Sequence, residues 1–87
     1  MMTREQVERR VLSICSDVLQ VDELACRRDL YSCGATSFSV IFIMARLQEE
    51  LGVQLPQQTI VRIFRGNPGV TELASELHGI IQSSSVR

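Results

Sequence analysis

Three stripes of apolar residues at helical spacing do most to limit what this chain becomes. Val7, Val11, Ile14 and Val18 recur three or four residues apart, and Leu12, Cys15 and Leu19 widen the stripe. Val40, Ile43, Met44, Leu47 and Leu51 form a second stripe with the same period, and Val70, Leu73, Ala74, Leu77, Ile80 and Ile81 a third. A period of about 3.6 residues puts each set on one side of a helix, whereas a strand needs strict alternation. The sequence contains no alternating run of convincing length and no internal repeat. The expected fold class is all-α, with each helix burying its stripe against the others.

Local signals set the boundaries. Thr3-x-x-Gln6 fits a capping box, Glu5 adds negative charge to the first turn, and Glu5–Arg9 is a favourable i,i+4 pair. The first helix is expected over about residues 3–19. From 20 to 36 the period breaks, with Asp22, Glu23, Arg27, Arg28 and Asp29 interrupting it and Gly34 near the end. So long a loop in so small a chain is usually functional or disordered; Leu24, Leu30 and Tyr31 look like anchors and favour an ordered, functional one. A second helix opens at Ser37 and stops at Gly52. Val53 and Leu55 lead as an extended link into Pro56. A short third helix is expected over about 58–65, with Ile60, Ile63 and Phe64 inward. Gly66-Asn67-Pro68-Gly69 is loop chemistry, and the last stripe follows it. The expected architecture is a four-helix bundle over 1–82, with a long loop between helices 1 and 2, a short third helix and a tail at 83–87.

Size and charge exclude several functions. An 87-residue chain makes one domain that buries about 64% of its unfolded surface, leaving no deep cleft between lobes. Nine Lys+Arg against ten Asp+Glu give a net charge of −1, which argues against nucleic-acid binding. Cys15, Cys26 and Cys33 have neither the count of a disulfide framework nor a metal-clip spacing, and the single histidine, His78, completes no metal site. Reduced thiols fit a cytoplasmic protein. The N-terminus lacks a signal-peptide core, and the longest apolar run, 40–45, is too short to span a bilayer.

The informative segment is Asp29-Leu30-Tyr31-Ser32-Cys33-Gly34-Ala35-Thr36-Ser37-Phe38. A serine on the first turn of a helix has two readings. It can cap the helix by accepting a backbone N–H bond. It can also be a nucleophile or modification site, because free N–H groups and the helix dipole there favour an attached phosphate. Ser37 has no candidate His–Asp partner set, so it suits another enzyme's substrate better than an enzyme's own nucleophile.

The segment resembles the acyl and peptidyl carrier proteins, small helical domains modified on a serine. Asp29, Leu30, Tyr31, Gly34, Thr36, Ser37 and Phe38 follow that family's order without a gap. Val40, Ile43, Met44, Arg46, Leu47, Leu51, Gly52, Val53, Leu55 and Pro56 are similar to its carrier helix. Val21-Asp22-Glu23 and Asn67-Pro68-Gly69-Val70 resemble its loop start and its turn into the last helix, so the likeness covers about residues 5–81. Cys33 stands where Leu is usual, Ala35 replaces a common second Gly, and Thr36 occupies a position often taken by Asp, Asn or His. The stretch from 56 to 70 is a few residues longer than in compact peptidyl carriers.

The resemblance implies a non-enzymatic shuttle. 4'-Phosphopantetheine from coenzyme A would be attached to Ser37 by a partner transferase, and its thiol would carry an aminoacyl, peptidyl or acyl group as a thioester. Expected partners are a phosphopantetheinyl transferase, an adenylation or acyl-loading enzyme, and downstream tailoring or condensation enzymes of a nonribosomal peptide or polyketide type pathway. No nucleic-acid or membrane partner is expected, and the expected state is a stand-alone monomer. The turn and Asn67-Pro68 lean toward the peptidyl type. Phe38 and Phe42 flank the core stripe and are expected to form an exposed docking patch beside Ser37. Ile41 fits either that patch or a wider buried face. Thr36, Arg62 and Arg65 could add polar contacts. Docking should be mainly apolar, because the first acids after Ser37 are Glu49 and Glu50. The rival reading is a helical interaction module in which Ser37 is only an N-cap.

Overall fold

A computed structural model describes residues 2–22, 29–32 and 34–84. Four helices follow one another: α1 (Arg4–Leu19), α2 (Ser37–Leu51), α3 (Gln57–Arg65) and α4 (Val70–Ser84). No strand occurs among the described residues. The all-α expectation therefore holds, with the short third helix in place. Residues 23–28, with Leu24 and Cys26, lie outside the described residues, as do Cys33 and 85–87. α4 runs to Ser84, two residues into the expected tail; serine ends a helix weakly, and such ends fray by a residue or two.

α1 opens with the capping box read from its sequence. Gln6 N–H donates to Thr3 Oγ1 at 3.2 Å, and Thr3 N–H donates to Gln6 Oε1 at 2.9 Å. It closes at Gln20, which takes a left-handed conformation and donates its N–H to Ser16 O. Val7, Val11, Leu12, Ile14 and Cys15 are buried and pack against α2 and α4. Val70, Leu73, Ala74 and Leu77 complete the core from α4. Arg10–Glu50 at 2.7 Å and Arg46–Asp17 at 2.6 Å tie α1 to α2 across the solvent edge.

α3 begins one residue earlier than expected, at Gln57, because the Pro56 carbonyl already accepts from Thr59 and Ile60. Ile63 and Phe64 face inward as expected, and Ile60 is half-buried. Gln48 fixes the link before it: Gln48 Oε1 accepts the Leu55 N–H at 2.7 Å while Gln48 Nε2 donates to Met44 O. The start of α3 is thereby set near the late turns of α2, and the two helices line one groove.

Candidate functional site

The loop that delivers Ser37 is held on both sides. Leu30 is fully buried, and its N–H donates to the Pro68 carbonyl at 3.1 Å, stitching this loop to the turn before α4. Asp29 organises the next turn. Its Oδ1 accepts the Tyr31 N–H at 3.0 Å and its Oδ2 accepts from Ser32 Oγ at 3.1 Å. The Ala35 N–H closes the turn onto Leu30 O. Gly34 has φ +106°, a conformation that any side chain would strain, so a glycine is required there. Ala35 has no such φ and is buried, so the second glycine can be replaced.

The cap of α2 is Thr36, not Ser37. Thr36 has extended backbone (φ −121°, ψ 175°), and its Oγ1 accepts the Ser39 N–H at 3.2 Å. Ser37 is thus the first helical residue. It is exposed, and among the described residues no hydrogen bond holds its hydroxyl. The reading of Ser37 as only a cap is corrected: two good capping residues stand side by side, and the backbone selects the first. Helix geometry leaves the Ser37 and Phe38 N–H groups without intrahelical partners, and the first turn of α2 carries no acid. An anionic phosphodiester on Ser37 Oγ fits this setting, with orphan donors and a positive dipole end beside it.

Beside it lies an apolar face. Phe38 is 76% exposed, and Ile41 and Phe42 are each 63% exposed. At spacings of three and four residues they adjoin on one side of α2. Ile41, left open by the sequence, joins this face rather than the core. The two arginines separate. Arg62 reaches toward α4, where Glu76 lies 3.6 Å away. Arg65 lines a groove between α2 and α3 that also contains Ser37, Ile41, Ala45 and Val61. Thr36 is exposed, but its hydroxyl is taken up with the cap.

Val61 was missed by sequence reasoning. It is 47% exposed and lies across the groove from Ile41. Its spacing of four from Gln57 and Arg65 was the available signal. Tyr31, expected as a buried anchor, is 40% exposed and meets Phe64 edge to face at 6.4 Å. No cluster of metal-ligating residues is found among the described residues, and none of the described helices is long and apolar enough to cross a membrane.

The comparisons agree with this geometry. A family model described as "Phosphopantetheine attachment site" matches residues 9–77, a span that includes the delivering loop and all of α2. Bacitracin synthase 3 of Bacillus licheniformis is 27% identical over 74 residues, covering 85% of this chain. One subunit of the linear gramicidin synthase of Brevibacillus parabrevis is 27% identical over 82 residues, covering 94%. The chain spans about 1% of the length of each. No solved structure matches. With the match running from α1 to α4, the chain belongs to the phosphopantetheine-attachment family of carrier domains, which hold 4'-phosphopantetheine covalently and catalyse nothing themselves.

Proposed function

We propose that Ser37 is the attachment residue, and that the protein carries an aminoacyl, peptidyl or acyl group between the enzymes of a nonribosomal peptide or polyketide type pathway. One observation carries this reading. The Ser37 hydroxyl stands exposed on the first turn of α2, released from capping by Thr36 and bordered by an apolar face. Ser37 and the orphan N–H groups beside it would hold the phosphodiester. When bound, the group supplies a thiol on a flexible arm, where the cargo is held as a thioester. No base hydrogen-bonds to Ser37 among the described residues, so the partner transferase must take its proton.

Phe38, Ile41 and Phe42 would seat that transferase, a loading enzyme and downstream tailoring or condensation enzymes in turn. Two relatives named as synthases support a place in an assembly line. A discrete, monomeric, cytoplasmic carrier belongs to the same reading, tested by the size of the polypeptide in extracts of its native cell. The interaction-module alternative relied on Ser37 as the cap, a task Thr36 performs.

The test is incubation with coenzyme A and a broad-specificity phosphopantetheinyl transferase, read by intact mass. A mass gain that Ser37→Ala abolishes is the expected result. A parent protein that gains nothing with any transferase overturns the reading. The mass of the loaded thioester from the native pathway then identifies the cargo class.

A further inference from the structure

The groove between α2 and α3 has two distinguishable ends. At one, the Leu55 N–H on Gln48 Oε1 sets the start of α3 beside the late turns of α2. At the other, the Tyr31–Phe64 ring contact sets the end of α3 beside the loop that delivers Ser37. Ser37, Arg65, Gln48 and Gln57 all line the groove, and the Tyr31–Phe64 contact turns the Arg65 end of α3 toward the Ser37 loop. Between them the lining is apolar, with Ile41, Met44, Ala45, Ile60 and Val61.

Arg65 is the one charged side chain among the residues that line this groove. Its situation differs from that of three other arginines outside the groove. Arg10, Arg46 and Arg62 each face a carboxylate, at 2.7, 2.6 and 3.6 Å. Arg65 has no ion pair among the described residues and projects from the last turn of α3, on the Ser37 side. No carboxylate in the groove would repel an anion placed beside it. Attachment at Ser37 would bring an anion to this end, where a guanidinium offers two parallel N–H donors to a phosphate.

We propose that Arg65 pairs with the phosphodiester on Ser37 and so directs the arm along the α2–α3 groove, leaving Phe38 and Phe42, which do not line it, clear. Arg65 is then a positioning residue for the arm. This rests on the reading of Ser37 as the attachment residue. The pairing is solvent-exposed, so it weakens as salt screens it, over a Debye length of about 10 Å at 0.1 M and about 3 Å at 1 M.

The experiment compares apo and loaded forms of the full chain by ¹H–¹⁵N NMR of the arginine Nε–Hε groups and of the backbone. Parent, R65Q, R65K and R62Q proteins are compared, each loaded with unacylated 4'-phosphopantetheine and checked by mass. Loading should shift the Arg65 Nε–Hε resonance at low salt, with the shift fading toward 1 M salt. It should also shift the backbone of Ile41 and Val61. R65Q should lose the groove shifts, R65K should retain part of them, and R62Q should keep them all. A parent protein that never gains mass overturns the Ser37 reading, and the Arg65 assignment with it. A protein that loads fully but leaves the Arg65 resonance unmoved, or keeps its groove shifts in R65Q, overturns the Arg65 assignment alone.

Discussion

The inner and outer sides of α2 share one backbone and nearly one composition, yet they meet different surroundings. Inward, Val40, Ile43, Met44 and Leu47 are buried, and α1 closes over that flank with Arg10–Glu50 and Arg46–Asp17. Outward, Phe38, Ile41 and Phe42 stand mostly in water. A fully buried phenylalanine is worth roughly 1.5–3 kcal/mol over an exposed one, so a chain this small forgoes appreciable stability here. Folding accounts for the inner side. The outer side makes sense as a surface kept for contact with something else.

Two substitutions test that contrast most directly. Leu47→Ala removes a fully buried side chain and should cost about 2–5 kcal/mol, lowering Tm by about 10 °C or more, as read by circular dichroism. Phe42→Ala should stay within about 0.5 kcal/mol of the parent. If both variants lose stability equally, the two sides of α2 do not differ as described. The functional readout should reverse the order. Phe42→Ala should slow loading by at least one partner about tenfold, measured as kcat/KM, equivalent to about 1.4 kcal/mol. Because no charge belongs to the Phe38–Ile41–Phe42 face, the parent rate should change little between about 50 and 500 mM salt. Unchanged rates with every partner would end the docking role of this face.

The same contrast of scaffold and presented group recurs at the head of α2. Gly34→Ala forces a side chain into φ +106° and should cost about 1–3 kcal/mol in urea unfolding, although the space around it is open. Thr36→Ala removes the cap and should cost about 1 kcal/mol. Ser37→Ala should cost less than about 0.5 kcal/mol while abolishing the mass gain on loading. A reversed order of Thr36→Ala and Ser37→Ala would return the cap to Ser37.

How much of this could be read beforehand follows from the range of each interaction. The stripes of α1, α2 and α4, the Thr3–Gln6 box and the Gly52 stop depend on neighbours within a few residues, so the sequence displays them. The Asp29–Ser37 order was legible for the same reason. Thr36 and Ser37 could not be separated, because both are good caps and only the backbone entering α2 decides between them. The fate of Ile41 depends on whether α3 covers it. That in turn rests on contacts of Gln48 with Leu55 and Tyr31 with Phe64, the second spanning more than thirty residues of sequence. The groove, Val61 and the different surroundings of Arg62 and Arg65 follow from that pose and are invisible to local periodicity.

The smallest expected effect compares α2 with its neighbours. Glu5 sits in the first turn of α1 and Glu72 in that of α4, where its Oε1 also accepts the Gly69 N–H at 2.8 Å. The first turn of α2 has no acid. A phosphodiester on Ser37 would supply the missing negative charge at the positive end of the helix dipole, a contribution of about 0.3–1 kcal/mol at low ionic strength. Loaded protein should therefore melt about 1–8 °C above apo protein, by calorimetry at low salt. The gap should narrow in about 1 M salt, where the Debye length is about 3 Å. A gap that ignores salt would point to apolar packing of the arm rather than charge. No gap at low salt would mean that the charge rests away from the helix end, leaving α2 the one helix of these three without a negative charge at its start.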